Sequence, residues 1–135
     1  EFSERKFNEG ESHNSLDKNI NFEGKKLDPM NSYQLLSTNI DQIIDDKILD
    51  IPNYIKIDVD GIEHLILKGG IKLFKNTQIS EIQIEINENY SEQFNSVMQI
   101  MNECMFKFKE KKRNDSKGYY LDHKFSKIYN YYFVR

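Results

Sequence analysis

The stretch IPNYIKIDVDGIEHLILKGG, residues 51–70, decides the fold of this 135-residue chain. Residues 54–58 alternate between polar and apolar side chains and are rich in β-branched types, a pattern typical of a β-strand. Gly61 interrupts the alternation, and apolar residues then recur at helical spacing as far as the glycine pair at 69–70. The stretch therefore predicts a strand, an acidic turn and a helix that ends or bends at the glycines.

Weaker patterns on either side extend this prediction. Upstream, STNIDQIIDD predicts a short helix with Ser37 or Thr38 as its N-cap. Downstream, ISEIQIEI predicts a second strand, and Asn89 is expected to cap the helix that follows, with an apolar face of Phe94, Val97, Met98, Met101 and Met105. FKFKEK and KIYNYYFVR predict an antiparallel pair of strands. This order predicts an α/β fold of parallel strands with an antiparallel last strand.

Composition narrows the range of partners. The chain is 38% hydrophobic and 13% aromatic, which is enough for a core, and its size corresponds to one domain at most. A net charge of −3 provides no basic surface for nucleic acid. Cys104 is the only cysteine and is expected to be a buried thiol, and no signal peptide or membrane-spanning stretch is present. We therefore expect a cytoplasmic protein without nucleic-acid partners or membrane insertion.

Three carboxylates, those of Asp58, Asp60 and Glu63, lie at the carboxyl end of the first strand, where open α/β sheets bind ligands. Such a cluster binds a cation, performs acid/base chemistry, or marks a strand that emerges into water. The sequence disfavours an EF-hand, because its alignment on Gly61 places Lys56 at the first ligand position and Leu67 where a bidentate Glu is required. A divalent ion held by Asp58 and Asp60 remains open.

Both predicted strands carry charge on one face, which is unusual for parallel strands covered on both sides. Either that face is open, or cross-strand pairs such as Lys56 with Glu85 neutralise it. For Glu85 we expect this ion pair, with a contact to substrate as the alternative.

The stretch at residues 51–70, followed by ISEIQIEIN, resembles the C-terminal half of FkbM-type methyltransferases. The signature of that family runs Lys-Ile-Asp-Val-Glu-Gly, then a Glu, then Leu-x-Gly-Ala. The upstream LSTNIDQIIDD is similar to the Thr-x-Asp helix segment that precedes the signature. Two positions depart from the family pattern: Asp60 stands where Glu is common, and Gly70 stands where Ala is usual.

The resemblance implies a class I methyltransferase (Rossmann-like) sheet, S-adenosylmethionine as cofactor, and methylation of a hydroxyl on a glycan or small molecule. Residues 1–39 hold only the isolated Gly10 and Gly24 where a glycine-rich cofactor loop would be needed. We therefore expect residues 1–135 to be a single partial domain, the C-terminal portion of the enzyme. Alone, it is expected to be inactive.

The resemblance also implies roles for particular residues. Asp58, Asp60 and Glu63 are the predicted catalytic residues, with Asp58 and Val59 also against the cofactor; the predicted substrate contacts are His13, Asn14 and Glu85. For Glu63 an alternative stays open, in which its carboxylate only caps the following helix or interacts favourably with the positive N-terminus of that helix. Two other classes of function remain open. One is a binding or assembly module that exposes a sheet edge, and the other is a nucleotide-sugar enzyme dependent on a divalent metal.

Overall fold

A computed structural model describes residues 21, 23–26, 34–113 and 126–135, together with the backbone of three short strands. These strands, β1 (Phe2–Glu4), β2 (Ser15–Leu16) and β3 (Asn31–Tyr33), form a small antiparallel sheet in the order β2-β1-β3. The predicted substrate contacts His13 and Asn14 lie outside the described residues.

The larger sheet has four strands in the order β4-β5-β7-β6; they are β4 (Tyr54–Ile57), β5 (Glu81–Asn87), β6 (Lys107–Lys112) and β7 (Ile128–Val134). β4 and β5 are parallel, and β7 runs antiparallel to both β5 and β6, between which it is inserted. The predicted α/β fold, with parallel strands and an antiparallel last strand, is confirmed.

Where the structure describes the chain, four helices accompany the sheet: α1 (Ile40–Asp45), α2 (Glu63–Lys68), α3 (Ile71–Phe74) and α4 (Ser91–Glu103). The glycine pair separates α2 from α3 as predicted. Both predicted caps are wrong. The N-cap of α1 is Asn39, not Ser37 or Thr38, because Asn39 is the residue immediately before the helix. Its side chain accepts the Gln42 N–H at 2.9 Å. Asn89 lies too far before α4, and its own N–H donates to Asn87 Oδ1 at 3.0 Å.

The core lies on one face of the larger sheet. Every second residue of β5 is fully buried there, and α4 covers them with Val97, Ile100 and Met101. Cys104 is buried as expected. The prediction that Met105 belongs to this apolar face is wrong: the helix has ended at Glu103, and Met105 adopts a φ of 65° and is 76% exposed.

The opposite face of the sheet is polar and partly open. Gln83, on β5, accepts a hydrogen bond from the Tyr54 hydroxyl and donates one to Asn130 Oδ1 at 2.8 Å. The two bonds form a polar ladder across three strands, because these residues share one face of the sheet. Charge on this face is therefore tolerated by partial exposure and by side-chain hydrogen bonds.

Within the described residues, β4 pairs with β5 alone, so its other edge is open. That edge borders a mainly apolar cavity of about 560 Å³ between the strand and α1, lined by Ile40, Ile44, Ile55, Ile57, Val59 and Phe74 among others. None of the helices in the described part of the chain has the length and apolar character needed to cross a membrane.

The Arg135 guanidinium joins the ends of two helices. It donates to the carbonyl oxygens of Phe74, Asn76 and Ile79 near the end of α3, and to that of Cys104 after α4 at 2.8 Å. The guanidinium carbon also lies 4.2 Å from the centre of the Phe106 ring. Helix ends leave carbonyl groups without partners inside the helix, and Arg135 satisfies several of them at once.

Candidate functional site at the carboxyl ends of the parallel strands

The acidic turn, residues 58–63, follows β4 directly and leads into α2. Asp60 and Gly61 both have positive φ, of 57° and 111°. Aspartate tolerates this conformation better than most residues because its short side chain bonds locally, and glycine adopts it without strain. The chain therefore reverses sharply at this point, and Asp58 and Val59 remain on the exposed rim of the turn.

Glu63 lies beneath the turn and is 1% exposed. Its carboxylate accepts the N–H of Val59 at 3.0 Å and that of Gly61 at 3.1 Å, and it also accepts a hydrogen bond from the Gln93 side chain. Burial raises the pKa of Glu63, and the three hydrogen bonds oppose that shift. The structure thus places this predicted catalytic residue inside the protein, bonded to the backbone of the turn.

Gln93 was not predicted to belong to the site. It is 2% exposed on the first turn of α4, donates to Glu63, and accepts the N–H of Asn87 at 2.8 Å through Oε1. A signal was present in the sequence, because Gln93 lies four residues before Val97 on the apolar face of the helix. A polar residue at such a position needs a buried partner.

Glu85 approaches the acidic turn from β5. Ile57 lies opposite Ile84, so Asp58 and Glu85 follow the last paired residues of two parallel strands. Burial raises the pKa of Glu85 from 4.5 to about 7, and the negative charges of the acidic turn contribute to the shift. The carboxyl group of Glu85 therefore titrates near neutral pH.

The expected ion pair between Lys56 and Glu85 is wrong. The Lys56 ammonium lies 2.8 Å from Asp58 Oδ2, and it only partly offsets the raised pKa of Glu85. Residues 56 and 58 share a face of the same strand, whereas Lys56 lies opposite Gln83 on β5. Lys56 therefore pairs with Asp58, two residues further along the chain, and not with Glu85 on the neighbouring strand.

His64, next to Glu63, is buried with 1% exposure, and its Nε2 lies 4.0 Å from Glu92 Oε1. Its ring meets the ring of Tyr90 edge-on at 5.7 Å between centroids. In the described part of the chain, no group of three or more His, Cys, Asp or Glu side chains is arranged to hold a metal ion.

These positions bring the carboxyl groups of Asp58, Asp60 and Glu85 together at the carboxyl-terminal side of the two parallel strands. Carboxyl groups in general can orient a hydroxyl group and accept a proton. A family model described as "Methyltransferase FkbM domain" matches residues 5–108. No curated protein and no solved structure matches the chain. The matched segment contains β4, the acidic turn, β5 and α4. Because this family model matches more than half of its length, the chain belongs to the FkbM methyltransferase domain family.

Proposed function

We propose that this chain belongs to an S-adenosylmethionine-dependent O-methyltransferase and contains the part of the active site that activates the methyl acceptor. The observation that supports the proposal is the juxtaposition of the acidic turn with Glu85 at the ends of two parallel strands, in a chain of a methyltransferase family. A hydroxyl acceptor needs a group that orients it and takes its proton. Asp58 and Asp60 orient the hydroxyl, and Glu85, whose pKa is about 7, accepts the proton.

The residues at the carboxyl ends of β4 and β5 fit such a cofactor in charge and polarity. Carboxylates complement a positively charged sulfonium, and Val59, 38% exposed beside Asp58, offers an apolar contact. Asp58 and Val59 would therefore hold the cofactor. S-adenosylmethionine, when bound, supplies the methyl group that is transferred.

With the cofactor bound, the hydroxyl that receives the methyl group would lose its proton, and a carboxylate of this site would accept it. Glu85 suits this last role because a base with a pKa of about 7 is about half deprotonated at neutral pH and still holds a proton well. The acceptor class that we propose is a hydroxyl of a glycan or of a small molecule.

The proposal is tested on the whole gene product with radiolabelled S-adenosylmethionine and a panel of sugars, glycans and small hydroxyl compounds. Asp60→Asn keeps a residue that tolerates positive φ, so it is expected to fold normally and to lose about 10²- to 10⁴-fold in turnover. Glu85→Gln is expected to show a loss in the same range.

Glu81→Gln is the matched control. Glu81 lies at the opposite end of the same strand and the same face, where Lys109 Nζ is 3.5 Å from its carboxylate. This variant should retain turnover. Calorimetry that detects no S-adenosylmethionine binding to the whole gene product would reject the proposal.

The open edge of β4 supports a second candidate, a module that assembles with another strand. Edge strands present unpaired backbone groups, and here an apolar cavity lies beside them. Ile55→Lys should then abolish association measured by analytical ultracentrifugation. Association that persists in this variant would reject this candidate.

A further inference from the structure

A buried chain of hydrogen bonds ties the ends of the two parallel strands together. Asn87, the last residue of β5, donates its N–H to Gln93 Oε1 at 2.8 Å, and Gln93 Nε2 donates to Glu63. Glu63 in turn accepts two N–H groups of the turn that follows β4. We call this set of residues, Glu63, Gln93 and Asn87, the clamp.

The direction of every bond in the clamp is determined by chemistry. The Asn87 N–H can only donate, so the carbonyl oxygen of Gln93 must face it and the amide NH2 must face Glu63. Residue 63 must therefore accept from that NH2 as well as from two backbone N–H groups. A carboxylate satisfies these demands with its two oxygens, and this use leaves Glu63 committed to the turn.

The turn that the clamp holds has an uncommon backbone. Asp60 has a φ of 57°, which for a residue other than glycine persists only where the surroundings impose it. The N–H groups of Val59 and Gly61, on either side of Asp60, are the two that Glu63 accepts. The bonds thus restrain the residue whose side chain we place in the reaction.

We propose that Glu63 and Gln93 are positioning residues, which hold the acidic turn at a fixed distance from the end of β5 so that Asp58, Asp60 and Glu85 act as one site. The inference rests on the proposed function for the meaning of that site. It replaces the sequence-based prediction that Glu63 takes part in the reaction directly. Gln93, which was not predicted to belong to the site, becomes its necessary partner.

The bonding pattern is tested by amide hydrogen exchange in the whole gene product. Gln93→Met removes the donor to Glu63, and Glu63→Gln sets two NH2 groups against each other. In each variant the amides of Val59 and Gly61 should exchange about 10- to 100-fold faster. The double variant Glu63→Gln/Gln93→Glu reverses the pair while keeping one carboxylate and one amide, so it should restore most of the protection.

A second measurement separates positioning from general stability. In Gln93→Met the turn is released from β5 while all carboxylates remain. The contribution of the turn's negative charges to the raised Glu85 pKa should then be reduced, so the Glu85 titration followed by side-chain NMR should lie at lower pH than in the wild type. Gln99→Met is the matched control, because Gln99 lies on the same helix, is exposed and bonds only locally to Glu103 in the described structure. It should leave both measurements unchanged.

Unchanged exchange at Val59 and Gly61, or an unchanged Glu85 titration in Gln93→Met, would overturn the inference. If Gln93→Met does not fold, the double variant decides: protection no better than in Glu63→Gln would overturn the inference equally. Neither measurement depends on methyl transfer. If the protein shows the bonding of the clamp but binds no S-adenosylmethionine, the proposed function is rejected and the positioning role of Glu63 and Gln93 is not.

Discussion

Glu85→Gln is expected to stabilise the protein at alkaline pH and to leave its stability nearly unchanged in acid. The pKa of Glu85 rises from 4.5 to about 7 on folding, because burial and the nearby carboxylates disfavour its charged form. A folded-state pKa above the unfolded value means that folding is favoured below 4.5 and loses this contribution as the pH rises through about 7. Glutamine, which is neutral at every pH, does not incur that loss.

The magnitude follows from the size of the shift. At about 1.4 kcal/mol per pKa unit, the shift corresponds to about 3 kcal/mol at most. Glu85 is partly exposed, so solvent screening reduces the expected gain in the free energy of unfolding to about 1 kcal/mol at pH 8.5. Near pH 4.5 the gain should approach zero.

Urea denaturation of the wild type and the variant at pH 4.5, 6, 7 and 8.5 measures this difference. Glu81→Gln reports what the loss of one carboxylate on the same strand does by itself. A stability difference between wild type and Glu85→Gln that is the same at every pH would refute the reasoning, as would a Glu85 carboxyl that titrates at 4.5.

Substitutions at three further positions test the packing around the helices. Arg135→Ala should lower the free energy of unfolding by about 2 kcal/mol, measured in urea, and Arg135→Lys should recover little, because one ammonium cannot serve carbonyls at two helix ends. Gly70→Ala should cost about 1 kcal/mol, because the new methyl group would meet Ile40 and lie 2.7 Å from the Phe74 ring; an unchanged melting temperature would contradict this. Asp41→Ala should cost about 1 kcal/mol through loss of the acceptor for two N–H groups at the start of α3, and Asp41→Asn should recover only part of this, because its amide has one acceptor oxygen where Asp41 uses both carboxylate oxygens.

The larger sheet and its helices were predictable from the sequence because alternation in residues 54–57 and 81–87 and helical spacing in residues 91–103 agree with burial. The N-caps of α1 and α4 were not predictable, because a cap depends on the single residue at which the backbone enters the helix. Asn39 lies one residue after Thr38, and periodicity does not resolve that difference.

The site was predictable only in part. The acidic turn follows a strand that the sequence makes plain, but the clamp joins Glu63 to a residue 30 positions away. Such a contact depends on how α2 and α4 pack, which a local pattern does not contain. The Lys56–Asp58 pair, in contrast, follows from the two-residue repeat of a strand and was accessible to sequence reasoning.

The family departures at Asp60 and Gly70 have physical explanations. Asp60 adopts a φ of 57°, and aspartate is among the residues that tolerate this conformation best. Gly70 leaves space that Ile40 and Phe74 use, so α1 packs closely against the start of α3. Each departure suits the local backbone of this chain.

The insertion of β7 between β5 and β6 has a consequence for synthesis on the ribosome. The segments that form β4, β5 and β6 emerge before residues 128–134, yet β6 can join the sheet only through the strand made after it. Until then the backbone groups on the edge of β5 that pairs with β7 lack that strand and are exposed to chaperones and to other nascent chains. A premature stop codon ahead of Ile128 would consequently remove the middle of the sheet and leave a product destined for aggregation or proteolysis.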